Sequence, residues 1–325
     1  MTYTKETDGR RIASDLVSEI KGKTILVTGA SPGSLGAFFS QIVAEHSPVL
    51  LILAGHNTER TQETAQSITD STGVQVKTLN LKLDSLEGVR EAADEVNTWD
   101  DVPHIDVVVN NAGIMAVPFQ LTEDGIERQF ATNFLGHFLF TNLILGKVLK
   151  APAPRVINVS SNGHRFSSVR FDYNFQDGKA YDPWRAYGQS KTGNVLFSVA
   201  LAQKLGSKGL ISASLHPGVT QTNLGSHIDW AGEGGANMYA VDVAIGTTAS
   251  LAPGSFDFKS PEQCVATHVY TAFSPDIASN NGGYFMDSRL ADQFQGEVYP
   301  WATDKNEAER VWKLAEKLVG QEFSW

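Results

Sequence analysis

Residues 24–44 read TILVTGASPGSLGAFFSQIVA. The first five are apolar or β-branched, the pattern of a strand buried on both faces. Gly29, Gly33 and Gly36 follow, and then an apolar stretch long enough for a helix. Glycines at such a turn let the backbone approach a pyrophosphate, which then lies against the amides of a helix N-terminus. An ordinary tight strand-to-helix turn needs glycine too, for positive φ. Both readings stand on this stretch alone.

Working outward, the runs 49–54, 74–81, 105–111, 155–160 and 211–216 have the same strand character, several of them apolar on both faces. Helical patterns over about 34–46, 58–71, 85–98, 122–150 and 184–206 lie between them. This alternation predicts an α/β fold, a single doubly wound Rossmann-type parallel sheet with helices on both faces, which binds ligands beyond the carboxyl ends of its strands. The whole of 1–325 is expected to form one domain. Residues 1–22 make a helical leader, with Ile12, Leu16, Val17 and Ile20 at helical spacing and Gly22 as its stop. Residues 222–259, rich in Gly, Ala and Ser, read as a substrate lid or loop rather than an element. Residues 288–325 form a tail whose helix carries Ala308, Val311, Trp312, Ala315 and Leu318 behind Asp304 and Glu307.

With 42% hydrophobic and 19% charged residues, the chain is too apolar for disorder and can bury a large core. Its net charge of −10 has the wrong sign for collecting phosphodiesters, so no nucleic-acid partner is expected. The most apolar long stretch, 130–148, is broken by Asn133, His137, Asn142 and Lys147, which reads as core and not as a membrane span. No signal-peptide pattern opens the chain, and one cysteine, Cys264, permits no internal disulfide, so a reducing, cytoplasmic setting is expected. The eight histidines have no ligand spacing, and no metal is expected.

Five further motifs follow in order: NNAG (110–113), NFLGHF (133–138), NVSS (158–161), YGQSK (187–191) and HPGVTQT (216–222). Together with the glycine turn they resemble the short-chain dehydrogenase/reductase family over residues 20–290. NVSSNGHRF (158–166) and GGYFMDS (282–288) are most similar to its retinol-dehydrogenase-like and fungal reductase branches. The family turn is T-G-x-x-x-G-x-G, whereas here Ser34 and Leu35 separate Gly33 from Gly36. Gly36 is therefore assigned the third-glycine role.

Tyr187 and Lys191 are four residues apart and share a helix face. An ammonium near a phenol favours phenolate and draws its pKa down from ~10. The resemblance makes Tyr187 the acid/base, with Lys191 lowering its pKa and bonding the nicotinamide ribose. Ser161 ends the 155–160 strand, where its hydroxyl can donate to a developing oxyanion. The resemblance selects it over Ser160. Asn133 matches the asparagine that holds a water in a proton relay, and a buried amide satisfying backbone is the plain alternative.

The resemblance places cofactor contacts at Gly29, Ser31, Gly33, Ser34, Leu35, Gly36, Asn111, Ala112, Gly113, Pro217, Gly218, Val219 and Thr222, besides Tyr187 and Lys191. It also places one at Asp84, for adenine, although a helix N-cap serves equally well there. After the second strand the sequence reads LILAGHNTER, with no carboxylate before Glu59. A missing acid removes repulsion of a 2′-phosphate, and His56 or Arg60 could bind it, so NADP is expected over NAD. The implied reaction moves hydride between nicotinamide and a carbonyl or secondary alcohol of an apolar small molecule. A cofactor-assisted isomerase, epimerase or dehydratase and a non-catalytic NADP-binding regulator are the alternatives, and homo-oligomerisation stays open. Between Ser161 and Tyr187 lie 25 residues carrying Phe166, Phe171, Tyr173, Phe175, Tyr181 and Trp184. These form either an apolar wall beside the site or anchors that tie a long loop to the core.

Overall fold

The computed structural model describes residues 3–246 and 257–325. Eight strands form one sheet in the order β3-β2-β1-β4-β5-β6-β7-β8. They are β1 Thr24–Thr28, β2 Leu50–Gly55, β3 Val76–Asn80, β4 Val107–Asn110, β5 Arg155–Val159, β6 Ile211–His216, β7 Tyr284–Met286 and β8 Arg289–Leu290. Every pairing is parallel except β7 with β8. The order reverses between β1 and β4, which opens a crevice at their carboxyl ends.

The central strands are apolar throughout because both faces are covered. Leu26, Ile52, Val108 and Val156 face one layer, which contains Phe134, Phe138, Phe197 and Trp312. Ile25, Val27, Leu51, Val107, Val109 and Ile157 face the other, with Phe39, Val269 and Phe273. The helix Lys305–Val319 starts where Asp304 accepts from Asn306 N and Glu307 N, and its Trp312 packs edge-on against Phe138 at 4.9 Å.

Four expectations need correction. The leader is two helices, Gly9–Asp15 and Val17–Ile20, broken at Leu16 (φ −110°); Ile12, Leu16 and Ile20 are buried but Val17 is not. The helix expected from 122 begins only at Arg128. Gly125 (φ +73°) closes a turn before it, and the Glu127 carboxylate caps Gln129 N and Phe130 N. The lid segment holds an element, the helix Glu233–Ile245, whose glycines mask a buried stripe of Gly235, Met238, Val241 and Asp242; residues 247–256 of that segment lie outside the described residues. Finally, the tail expected from 288 begins inside the β7–β8 hairpin. Asp287 (φ +50°) and Ser288 (φ +57°) make its two-residue turn without the Asn-Gly signal that would have revealed it. Among the described residues no helix is long and apolar enough to cross a membrane.

Candidate active site

β5 ends at Val159, and the two serines after it diverge. Ser160 is buried and its hydroxyl donates to Lys191 O at 2.8 Å, which commits it to structure. Ser161 is half-buried at the carboxyl edge of the sheet; its Oγ accepts from Gly163 N at 3.0 Å, and the serine lies close enough to the Tyr187 hydroxyl to lower its pKa. The neighbouring Asn162 N donates to His216 Nδ1 at 3.3 Å, and burial holds that imidazole down at about 3, hence neutral.

Tyr187 stands in the first turns of the helix Pro183–Leu205, which Asp182 caps through Trp184 N and Arg185 N. Its ring passes so close to residue 163 that a Cβ there would lie 2.7 Å from a ring carbon, so glycine is what admits the tyrosine. Lys191 is one turn on, its Nζ 5.7 Å from the Tyr187 ring centroid and donating to Val159 O at 3.0 Å. Both groups are buried. The expected lowering of the phenol is reversed: burial pushes Tyr187 up to about 12, against the smaller opposite effect of Ser161, and pushes Lys191 down to about 8. Desolvating a phenolate here outweighs the pull of a cation that is itself desolvated.

Asn133 lies in a π-turn, Ala131–Leu135, where Gly136 N bonds to Ala131 O five residues back. Its amide clamps the loop after β4: Oδ1 accepts from Ile114 N at 2.8 Å, and Nδ2 donates to Ile114 O and Ser190 Oγ, both at 2.9 Å. The plain reading, an amide satisfying backbone, thus describes its side chain. A Cβ on Gly113 would lie 3.0 Å from Asn133 Oδ1 and 3.4 Å from Lys191 Nζ, so this loop passes directly over both residues.

The glycine turn is built as a close approach. Gly29 (φ +72°) has Ala112 beneath it, 2.7 Å from where a Cβ would sit, and a Cβ on Gly36 would lie 2.6 Å from Gly29 O and 2.7 Å from Asn111 Nδ2. Gly33 (φ +79°) would put a Cβ 3.5 Å from Asn223 Nδ2, an ordinary contact, and needs glycine for conformation alone. Ser34 caps the helix Leu35–Ala44 through Ala37 N and donates to Gly29 O at 2.8 Å, leaving the N–H groups of Leu35 and Gly36 without an intrahelical acceptor. Asn111 and Ala112 hang from Thr28 Oγ1, each N–H at 2.9 Å. Ser31 is half-buried in the turn.

At the end of β2, His56 is exposed, and the Arg60 guanidinium folds back onto the glycine turn through Pro32 O at 3.2 Å. Pro217 follows β6 directly, Gly218 (φ +101°) turns the chain, and Val219 bridges to Phe258. Thr222 caps the short turn Asn223–Gly225, from which Asn223 reaches Pro32 O at 3.4 Å. The 217–222 loop and the glycine turn therefore meet. The helix-cap alternative for Asp84 fails: Ser85 caps Leu86–Thr98, and Asp84 pairs with Arg128 at 3.5 Å.

The aromatic insert divides. Phe166 and Trp184 join Tyr187, Met238 and Val241 in one apolar cluster, with Met115, Ala116, Ile228 and Ile245 against it. Phe171 is exposed under Arg310, Tyr173 stacks near Phe130, and Phe175 packs on Tyr181, so these four anchor the loop. Sequence reasoning missed Gln129, which takes Ala116 N on Oε1 and gives Nε2 to Pro183 O, tying the loop after β4 to the start of the tyrosine helix. It also gave no role to Thr28, Ser190 or His137, although the i, i+4 spacing of Asn133 and His137 was a usable signal.

Residues 23–231 match the short chain dehydrogenase family. The chain is 37% identical over 309 residues to retinol dehydrogenase 13 of Homo sapiens, covering 93% of this chain and 86% of that one. It is 33% identical over 311 residues to retinol dehydrogenase 14 of Mus musculus, covering 92% and 86%. A solved structure from Mycobacterium paratuberculosis, 30% identical, superposes with a TM-score of 0.69 over 96% of this chain and 98% of that one. On its fold, its motifs and these relatives, the chain belongs to the short-chain dehydrogenase family.

Proposed function

We propose that this oxidoreductase prefers NADP and moves a hydride between nicotinamide and the carbonyl or alcohol carbon of an apolar small molecule. The observation that carries the reading is that Ser161 and Tyr187 meet at Gly163 on the sheet's carboxyl edge, with the buried Lys191 amine one turn away. The glycine turn fits a pyrophosphate: its backbone allows no Cβ at Gly29 or Gly36, and two helix-terminal N–H groups are free to face an anion. Residues 29, 31, 33–36, 56, 84, 111–113, 217–219 and 222, with Tyr187 and Lys191, would hold the cofactor. When bound, nicotinamide supplies or accepts the hydride.

Ser161 orients the substrate oxygen by a hydrogen bond that strengthens as charge develops there. Tyr187, with its phenol protonated at neutral pH, gives that oxygen a proton in reduction and takes one back in oxidation. Lys191 holds a positive charge below about pH 8 and eases the second direction. Asn133 fixes the loop that passes over both.

The preference for NADP is supported by the carboxylate-free Gly55–His56 strand end and by Arg60 folded onto the turn. An apolar substrate is supported by the Phe166, Trp184 and Met238 cluster around Tyr187, and by relatives named for retinol, an apolar alcohol. The chain works as one domain, and its single cysteine, buried, suits a reducing cytoplasmic setting. The test is NADPH oxidation followed at 340 nm against a panel of apolar ketones and aldehydes. Turnover with none of them, and none in reverse with NADP and apolar alcohols, overturns the reading.

A further inference from the structure

His137 is fully buried, yet both ring nitrogens are engaged: Nε2 with Thr28 Oγ1 at 2.8 Å and Nδ1 with Asn133 O at 3.0 Å. Donor counting fixes the direction of these bonds. Thr28 Oγ1 already accepts two N–H groups, from Asn111 and Ala112, so its one proton is left for Nε2. A carbonyl only accepts, so Nδ1 carries the ring proton. The imidazole is then neutral, in the Nδ1–H form, with donor and acceptor both used. Beyond it, Asn133 Nδ2 donates to Ser190 Oγ at 2.9 Å, and Ser190 Oγ donates to Tyr187 O at 2.7 Å. Every residue of these links is buried.

We infer that His137 is a positioning residue, joining the glycine-turn strand to the tyrosine through the chain Thr28–His137–Asn133–Ser190–Tyr187. At one end the chain sets the amides of Asn111 and Ala112 beside Gly29, and at the other the carbonyl of the residue proposed to move the proton. A leucine of similar bulk would fill the space but leave the Thr28 hydroxyl and the Asn133 carbonyl buried without partners. A glutamine keeps an acceptor and a donor. The Asn133 carbonyl that takes this bond lies within the π-turn.

The role in catalysis rests on the function proposed above, but the chain itself is tested without turnover. In the ligand-free protein, ¹⁵N-detected NMR of His137 is expected to show a protonated Nδ1 and a bare Nε2 from pH 6 to 8; the reverse tautomer or the doubly protonated ring overturns the chain. Thr28→Val and Ser190→Ala share no hydrogen-bond partner. Their effects on kcat/KM are expected to deviate from multiplicative by about 3-fold or more with His137 present, and to multiply simply in His137→Leu. His137→Gln is expected to keep kcat within about 3-fold of the parent while His137→Leu loses about 10-fold or more, with both variants' thermal melts recorded. Simple multiplication with His137 in place, or equal kcat for Gln and Leu, overturns the inference. If the parent shows no turnover, the function proposed above fails instead, and the same cycle is read on the unfolding free energy, where additivity overturns the chain.

Discussion

Replacing Gly36 with alanine is the sharpest probe of how the cofactor turn is built. The residue has no positive φ, so helix propensity alone would favour alanine there. The obstacle is space: the new Cβ would lie 2.6 Å from Gly29 O and 2.7 Å from Asn111 Nδ2. Neither neighbour is a loose end. Gly29 O already holds Ser34 Oγ, and Asn111 is fixed to Thr28 by its N–H and its side chain. Restoring ordinary contact needs a movement of about 0.8 Å in a turn that is hydrogen-bonded on both sides, a change of the kind that costs about 1–3 kcal/mol. If that displacement disturbs the amides that face the anion, NADPH affinity falls by about 5- to 150-fold. Gly22→Ala is the control: φ is +76° with nothing within 4 Å, so it strains the fold by about 1 kcal/mol and leaves the cofactor alone. Fluorescence titration with NADPH, paired with thermal melts, separates the two. Parental NADPH affinity in Gly36→Ala would refute the third-glycine assignment and the reasoning from contact distances.

Three further outcomes are expected. NADPH should bind about 10-fold or more tightly than NADH by calorimetric titration, about 1.4 kcal/mol, and both Arg60→Ala and His56→Asp should narrow that gap; equal affinities in the parent contradict it. Acid should unfold the protein early: burial holds His137, His164 and His268 near 4 and His216 near 3, below the usual 6.5. The unfolded chain then takes up protons first, so stability is full above pH 6.5 and is lost as pH falls toward 4, by up to about 3 kcal/mol per histidine. Urea titrations at pH 7, 6 and 5 check this, a flat profile contradicts it, and His268→Leu, removing a ring whose Nε2 has no partner among the described residues, should make the slope shallower. Met238→Ala, opening the cluster around Tyr187, should raise kcat/KM for bulky apolar ketones relative to acetone-sized ones; an unchanged ratio contradicts the placement of the substrate there.

The strand–turn–helix pattern was legible because parallel strands buried on both faces leave apolar runs, and because the 184–206 pattern reads as a helix on which a tyrosine and a lysine four residues apart share a face. The hairpin at 284–290 was not, since its three- and two-residue strands are too short for periodicity and Asp287–Ser288 adopts positive φ without glycine. The helix Glu233–Ile245 was hidden by Gly232, Gly234 and Gly235, which sit against the Ile228–Trp230 segment. The pKa of Tyr187 was read in the wrong direction because spacing reports the lysine but not the depth of burial. The aromatic insert showed a related limit. Composition identified six rings, but only contact could show that two line the site and four fasten the loop.

The central claim, that Tyr187 transfers the proton beside a bound nicotinamide, is tested most directly by Tyr187→Phe with NADPH binding and turnover measured on the same preparation. The ring keeps its place against Gly163 and Trp184, and only the hydroxyl that meets Ser161 is removed. The account predicts NADPH affinity within about 3-fold of the parent and kcat lowered by about 10²-fold or more, the scale of general acid–base catalysis. A variant that turns over at more than a tenth of the parental rate would contradict it.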